Sequence, residues 1–204
     1  MAHEETPAEP EVKGSRFSAL IYEPFLWLGE RRGMADRRAR VLSGARGRVL
    51  EIGAGTGLNL ARYPGGLERR RRDLGIAAEV VHAPAESLPS EEGAFDTVVS
   101  TMVLCTVSDP DRAIAEIRRV LAPGGSLIFI EHVRSEDPRL VRWQERLRGP
   151  WEAFADGCVC DRPTVDHLRE GGFDVSIAER GTWKGMPPIV HPLVAGRAHL
   201  SGAS

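Results

Sequence analysis

The run Glu51-Ile52-Gly53-Ala54-Gly55-Thr56-Gly57 constrains this chain more than any other short stretch. It follows Val49, Leu50 and Ile52, which read as a buried strand, and it leads into "TGLNLARY", which predicts the opening of a helix. Glycine at alternate positions lets the backbone turn sharply and approach a ligand without a Cβ in the way. A strand, a glycine turn and a helix in that order point to an open α/β sheet, in which ligands bind at the carboxyl ends of the strands. Two common loops are excluded. Gly57 is followed by Leu58, so there is no Gly-Lys-Ser/Thr phosphate loop. The glycines are spaced by two throughout, unlike the G-x-G-x-x-G of nicotinamide dinucleotide sites, and a dehydrogenase reading is the poorer for it.

The rest of the chain keeps the alternation. Residues 16–42 read as helical, with Phe17, Leu20, Ile21, Phe25 and Leu28 on one stripe, a break at Pro24 and a second piece from Met34 to Leu42. Leu67–Leu74 predicts a short helix ended by Gly75. "AEVVH" (78–82), "FDTVVSTM" (95–102) and "SLIFIEHV" (126–133) predict strands. Between the last two, Asp109-Pro110 is a cap and first-turn proline for a helix that buries Ile114, Ile117 and Leu121 and stops at Pro123-Gly124-Gly125. Pro163–Gly171 predicts a helix, and "FDVSIAER" and "VAGRAHL" two strands. The link between these two has no room for a helix, which makes them an antiparallel pair at one edge. The fold class is therefore α/β, a mainly parallel sheet flanked by helices.

With 204 residues and 42% apolar content, one domain over 15–204 has a substantial core, preceded by a disordered acidic tail over 1–14. The net charge of -2 argues against nucleic acid as a partner. The sequence predicts no signal peptide and no membrane span: "ALIYEPFLWL" is too short and carries Glu23 and Pro24. A cytoplasmic location is the expectation. Three cysteines, Cys105, Cys158 and Cys160, imply no disulfide framework, and the Cys158-Val159-Cys160 pair lacks a second pair for zinc, so no metal is expected.

As an ordered set, the glycine loop, "APAESLP" (83–89), "FDTVVSTMVL" (95–104) and "AIAEIRRVLAPGGSLIFIEH" (113–132) resemble the class I S-adenosylmethionine-dependent methyltransferases over residues 48–133. Through "TMVLCTV", "IEHVR" and "DGC", the region 101–160 looks closer still to the animal membrane thiol methyltransferases and their bacterial relatives. The membrane-anchoring apolar helix at the start of those animal relatives is not expected here. The resemblance implies a Rossmann-like class I methyltransferase sheet and S-adenosyl-L-methionine as cofactor. It implies that Glu51, Gly53, Ala54, Gly55 and Gly57 line the amino-acid and ribose region. Ala85 and Glu86 would lie near the adenine, with Thr101, Met102 and Val103 flanking the site. Many relatives carry an acid where this chain has Pro84.

One departure stands out. The family pattern expects a second strand ending in a ribose-binding acid about 20 residues past the first glycine. Here that distance falls in "RYPGGLERRRRDLG" (62–75), an arginine-rich helical run without a β-branched cluster. The second strand, next to the first in the family's sheet, is therefore read as missing. Without it the strand at 78–82 either slides in beside the first strand, which is the expectation, or buried backbone groups go unpaired. Glu68 or Asp73 could replace the ribose partner. An exposed edge could promote dimerisation.

Two of the remaining candidates carry two readings each. His132, at the carboxyl end of a strand, could take a proton from a nucleophile or be a hydrogen-bonded core residue. Asp156 could orient substrate or base, or serve the turn before Gly157. Cys105 reads as packing. Asp96 reads as structural, Arg112 and Glu116 as a surface pair, and Arg69–Arg72 as a solvated face. Of Trp27, Trp143, Trp151 and Trp183, at least half read as packing. The expected function is methyl transfer to a small-molecule acceptor, an apolar thiol or else a lipid, quinone precursor or other metabolite. The alternative is a cofactor-deficient methyltransferase-like fold acting as a binding module.

Overall fold

In the computed structural model, residues 27–55, 57–63 and 81–202 are described. Among them, five strands form one sheet in the order β1-β2-β3-β5-β4. They are β1 (Val49–Ile52), β2 (Phe95–Thr101), β3 (Leu121–His132), β4 (Phe173–Thr182) and β5 (Pro192–Leu200). The first three are parallel, with Leu50 opposite Val98 and Val98 opposite Leu127. β5 runs antiparallel to both β3 and β4. The antiparallel pair expected at one edge is present, with β4 outermost. Burial follows position: β2 and β3 end in unbroken buried runs, whereas β4 alternates with the two-residue period of a half-covered edge.

Among the described residues four α-helices accompany the sheet: α1 (Ala35–Leu42), α2 (Pro110–Val120), α3 (Pro138–Phe154) and α4 (Thr164–Glu170). Asp109 caps α2 by accepting the Arg112 N–H at 3.0 Å, with Pro110 in the first turn. Asp137 caps α3 in the same way through Arg139 N–H at 2.9 Å. Before α1 the chain kinks at Glu30–Met34, where Gly33 takes φ 115°. None of the described helices is long and apolar enough to cross a membrane.

Side chains alternating along β3 feed three apolar clusters. Leu127 and Phe129 pack with Ile114 and Ile117 of α2 and Leu168 of α4. Ile128 joins Leu42 of α1 and Val99. Ile130 joins Met34, Cys105, Trp151, Cys158 and Trp183 towards the carboxyl ends of the strands. Trp151 and Trp183 are thus core, while Trp27 and Trp143 are exposed. The fully buried Gln144 ties α3 down: its amide donates to Val133 O, Cys160 O and Ile189 O at 3.2, 2.8 and 2.9 Å, and its oxygen accepts Ser135 N–H.

Several expectations need adjustment. "TGLNLARY" yields, in its described part, only a short turn of helix over Leu60–Arg62, because Tyr63, which precedes Pro64, is already extended at ψ 147°. β3 begins at Leu121, opposite Phe95, so the Pro123-Gly124-Gly125 bend lies inside an irregular strand. Glu116 pairs with Arg119 at 2.7 Å, not with Arg112, because both are drawn to the same turn: Glu116 accepts the Leu88 N–H and Arg119 donates to Leu88 O and Ser90 O. Asp96 is structural as expected, accepting the Arg48 N–H at 2.7 Å. Among the described residues β1 pairs only with β2, and Val81 and His82 belong to no strand. The tail at 1–14, the first part of the expected helical stretch at 16–26 with its break at Pro24, the helix at 67–74, Glu68, Asp73, Arg69–Arg72 and residues 78–80, on which the sliding strand depends, lie outside the described residues.

Candidate functional site

The carboxyl ends of β1 and β2 meet in two tight turns. All three loop glycines are left-handed, with φ 61° at Gly53, 51° at Gly55 and 78° at Gly57. Two of them are demanded by the protein itself. A Cβ on Gly53 would run into the Val103 side chain, and one on Gly57 would lie 2.8 Å from Leu60 Cδ1. Gly55 differs: among the described residues its Cβ would meet only Gly53 O, at 3.8 Å, and otherwise point into open space. The middle of the loop is therefore a bare backbone surface, exposed at Gly53 and Gly55 with Ala54 half-buried between them.

Behind the loop lies a polar network that joins β1 to β2. Glu51 accepts hydrogen bonds from Asn59 Nδ2 at 3.0 Å and from the Tyr63 hydroxyl at 2.5 Å. Burial, then the hydrogen bond and charge of Glu51, push the Tyr63 phenol far above its ordinary value, which keeps it a donor. Asn59 Nδ2 also donates to Thr101 Oγ1 at 2.8 Å. Arg38, from α1, donates to both Asn59 Oδ1 and Thr101 Oγ1 at 2.9 Å and to Glu30 Oε1 at 2.8 Å. Arg38, Asn59 and Tyr63 were not singled out by sequence reasoning. A buried arginine inside "ADRRAR" looks like any surface arginine. Asn59, polar between Leu58 and Leu60, was the one visible signal.

The second turn follows β2. Met102 is left-handed at φ 59°, rare for a side chain of this kind, and its N–H donates to Ile130 O at 2.8 Å. Beneath it the buried Glu131 accepts from Ser100 Oγ at 2.7 Å and from the Val103 and Leu104 N–H groups at 3.2 Å. Burial raises the Glu131 carboxyl, against the pull of these donors. Ala85 and Glu86 sit on the neighbouring turn. Ala85 packs on the core, and Glu86 Oε1 accepts the Ser108 and Asp109 N–H groups at 2.9 and 3.1 Å, bracing the loop before α2.

The two candidate catalytic residues are placed apart in character. His132 is buried, with Nε2 2.9 Å from Cys158 Sγ. Cys105 Sγ lies 4.0 Å from the same sulfur, and Trp151 Nε1 donates to it at 3.3 Å. The Cys105 thiol, then His132 and Trp151, pull the Cys158 thiol well below its ordinary value despite burial, while Cys105 is pushed up by that hydrogen bond and by burial. Asp156 is exposed on the turn that precedes Cys158, left-handed at φ 52° and followed by Gly157 at 87°. Met102 packs against the cluster that holds Cys105 and Cys158, and its neighbour Val103 packs over Gly53, so the sulfur-lined wall adjoins the glycine-loop region.

A surface hollow of about 620 Å³ lined by Glu92, Arg118, Arg119 and Pro123 lies at the opposite end of the sheet, beside the start of β3. Ligands of such sheets bind at the carboxyl ends, and the turns above lie there.

A family profile described as methyltransferase domain matches residues 50–129. The chain is 34% identical over 183 residues to the human thiol S-methyltransferase TMT1B, spanning 77% of this chain and 73% of that one. It is 33% identical over 144 residues to human TMT1A, spanning 61% of this chain and 59% of the relative. In fold it is similar to a Burkholderia thailandensis 1,6-didemethyltoxoflavin-N1-methyltransferase solved with S-adenosylhomocysteine. That match has a TM-score of 0.55 and 15% identity over 97% of this chain and 93% of that one. The chain belongs to the family of these thiol S-methyltransferases, within the class I S-adenosylmethionine-dependent methyltransferases.

Proposed function

We propose that this methyltransferase acts on a small thiol. The observation that carries the cofactor half is Gly55, whose missing Cβ leaves an open cradle against a loop otherwise closed by Val103 and Leu60. The acceptor half is supported by the names of the relatives, TMT1B and TMT1A.

S-adenosylmethionine supplies an electrophilic methyl group on a sulfonium. The cradle fits its amino-acid end: the Gly53–Gly57 backbone would hold it, and Glu51 and Thr101, fixed by Asn59 and Arg38, would border it. Ala85 and Glu86 would border the adenine. There Glu86 keeps the turn in place through the α2 loop, leaving adenine recognition to backbone groups. The Met102–Cys105 turn, pinned by Glu131, would form the wall facing the reacting methyl and exclude water.

A thiol ionises near pH 8.5, so it needs little base assistance, and alignment does most of the work. This suits a site where His132 is engaged by Cys158 and Asp156 is exposed. The test is calorimetric titration with S-adenosylhomocysteine, followed by mass spectrometry of reactions with small thiols and their amine and hydroxyl analogues. Micromolar binding and formation of the methyl thioether alone is the expected result. Methylation of the amine instead would overturn the thiol assignment. No binding by a folded chain would favour the binding-module alternative.

A further inference from the structure

We propose that Cys105, His132 and Cys158 form a binding site for a zinc-class divalent cation, with one coordination position left open. Their donor atoms all lie within 4.8 Å of one another, and all three residues are buried. They arrive from three distant parts of the chain: the turn after β2, the last residue of β3 and the turn after α3. The backbone holds this convergence. Val159 N–H donates to Cys105 O at 2.9 Å, joining the two cysteine turns. The consecutive left-handed residues Asp156 and Gly157 reverse the chain after α3 and turn Cys158 inward.

The donor set selects the metal. Two thiolates and an imidazole are soft or borderline ligands that favour zinc over magnesium or calcium. The surroundings are mainly apolar, in the cluster that contains Ile130 and Trp151, and the two charged groups acting on Cys105, the Glu131 carboxyl and the Arg162 guanidinium, are of opposite sign. A divalent ion with two thiolates and a neutral imidazole carries no net charge, which such a cluster can bury. Monovalent copper would leave an uncompensated negative charge there. Tetrahedral bonds of about 2.3 Å to sulfur place two sulfurs about 3.8 Å apart. The Cys105 and Cys158 sulfurs are 4.0 Å apart. The His132 nitrogen, at 2.9 Å from Cys158, would move outward to about 3.6 Å on the same geometry. His132 Nδ1 has no hydrogen-bond partner among the described residues, so the ring can turn to a metal without breaking another bond. Trp151 Nε1 already donates to the Cys158 sulfur, the outer support that ligating thiolates commonly have.

Other pairings explain less. A Cys105–Cys158 disulfide would use two of three converging donors and leave His132 without a role. The C-x-C spacing visible in the sequence is not the ligand pair, because Cys160 Sγ faces Gln144 O at 3.6 Å. Metal binding here does not depend on which acceptor is methylated, and its readout is independent of activity.

The experiment is titration of the full reduced chain, stripped by chelator, with cobalt(II). The expected result is one equivalent bound, a thiolate-to-cobalt charge-transfer band with intense tetrahedral visible bands, and displacement by zinc. Cys105→Ser and Cys158→Ser should each lose the charge-transfer intensity of one sulfur, while Cys160→Ser keeps it all. Absence of the bands in the folded, unaltered chain overturns the site, whatever the variants do. Intensity lost in Cys160→Ser and kept in Cys105→Ser overturns it as well, by moving the metal elsewhere.

Discussion

Arg148 grips the fully buried Asp161 through two parallel bonds, Nε to Oδ1 at 2.8 Å and Nη2 to Oδ2 at 2.6 Å. The pair joins α3 to the segment that follows Cys160. Arg134 adds a weaker contact at 3.7 Å. Arg148→Met would strand a buried carboxylate. Because Arg148 is half exposed and Arg134 remains, the expected loss is about 2 kcal/mol, below the range for a fully buried pair. Thermal denaturation should show a fall of about 4–8 °C. Adding Asp161→Leu should recover part of it, and a double variant worse than the single one would contradict this account.

Gly55 and Gly53 should respond differently to alanine. Gly55→Ala meets open space and carries only left-handed strain, about 1–2 kcal/mol. Gly53→Ala adds an overlap with Val103 and should cost about 2 kcal/mol more. Gly55→Arg fills the cradle. It should abolish S-adenosylhomocysteine binding by calorimetry while leaving the far-UV circular dichroism of the parent.

Glu179 of β4 is held by Arg37 and Arg40 of α1, at 2.7 and 3.1 Å. The Arg37 hydrogen bond, with Arg40 adding to it, holds the Glu179 carboxyl below its ordinary value. A carboxyl depressed in the fold stabilises fully above its unfolded pKa, about 4.3, and loses that contribution as pH falls through the folded value. Glu179→Gln should therefore lower the urea midpoint by a constant amount from about pH 8 to about pH 5, then by progressively less in acid. A difference that grows on acidification would contradict the assignment.

Arg38 is the neighbour of Arg37 but points to the other end of the network, at Asn59 and Thr101. Arg38→Lys keeps the charge and loses the planar fork that serves three partners. It should weaken S-adenosylhomocysteine binding about tenfold, the equivalent of one charge-assisted hydrogen bond. Unchanged affinity by calorimetry would detach the network from the cofactor region.

Much of the fold was legible because strands of this kind write themselves as local apolar runs: Val98 and Val99 in β2, Leu127–Ile130 in β3. The Asp109 cap was legible for the same local reason. The helix after the glycine loop was over-read. Its place after a strand and a glycine turn predicts a helix in "TGLNLARY", but three left-handed glycines and the extended Tyr63 leave little chain to wind in the described part. In the candidate site, the glycine turn was visible and its supports were not. Arg38, Asn59 and Thr101 meet only when α1, the loop and β2 are folded together. Cys105, His132 and Cys158 lie 27 and 26 positions apart, spacings that carry no motif.

The sheet order has a consequence for synthesis. β3, the most buried strand, is parallel to β2 on one side and waits for β5 on the other. β5 begins 60 positions after β3 ends, at Pro192 after His132. On the ribosome, the row of amides and carbonyls from Ser126 to His132 stays unpaired while α3, α4 and β4 are made. A nascent chain of this protein therefore presents an unpaired strand edge over roughly the last third of its translation, and the late arrival of Leu193–His199 seals it.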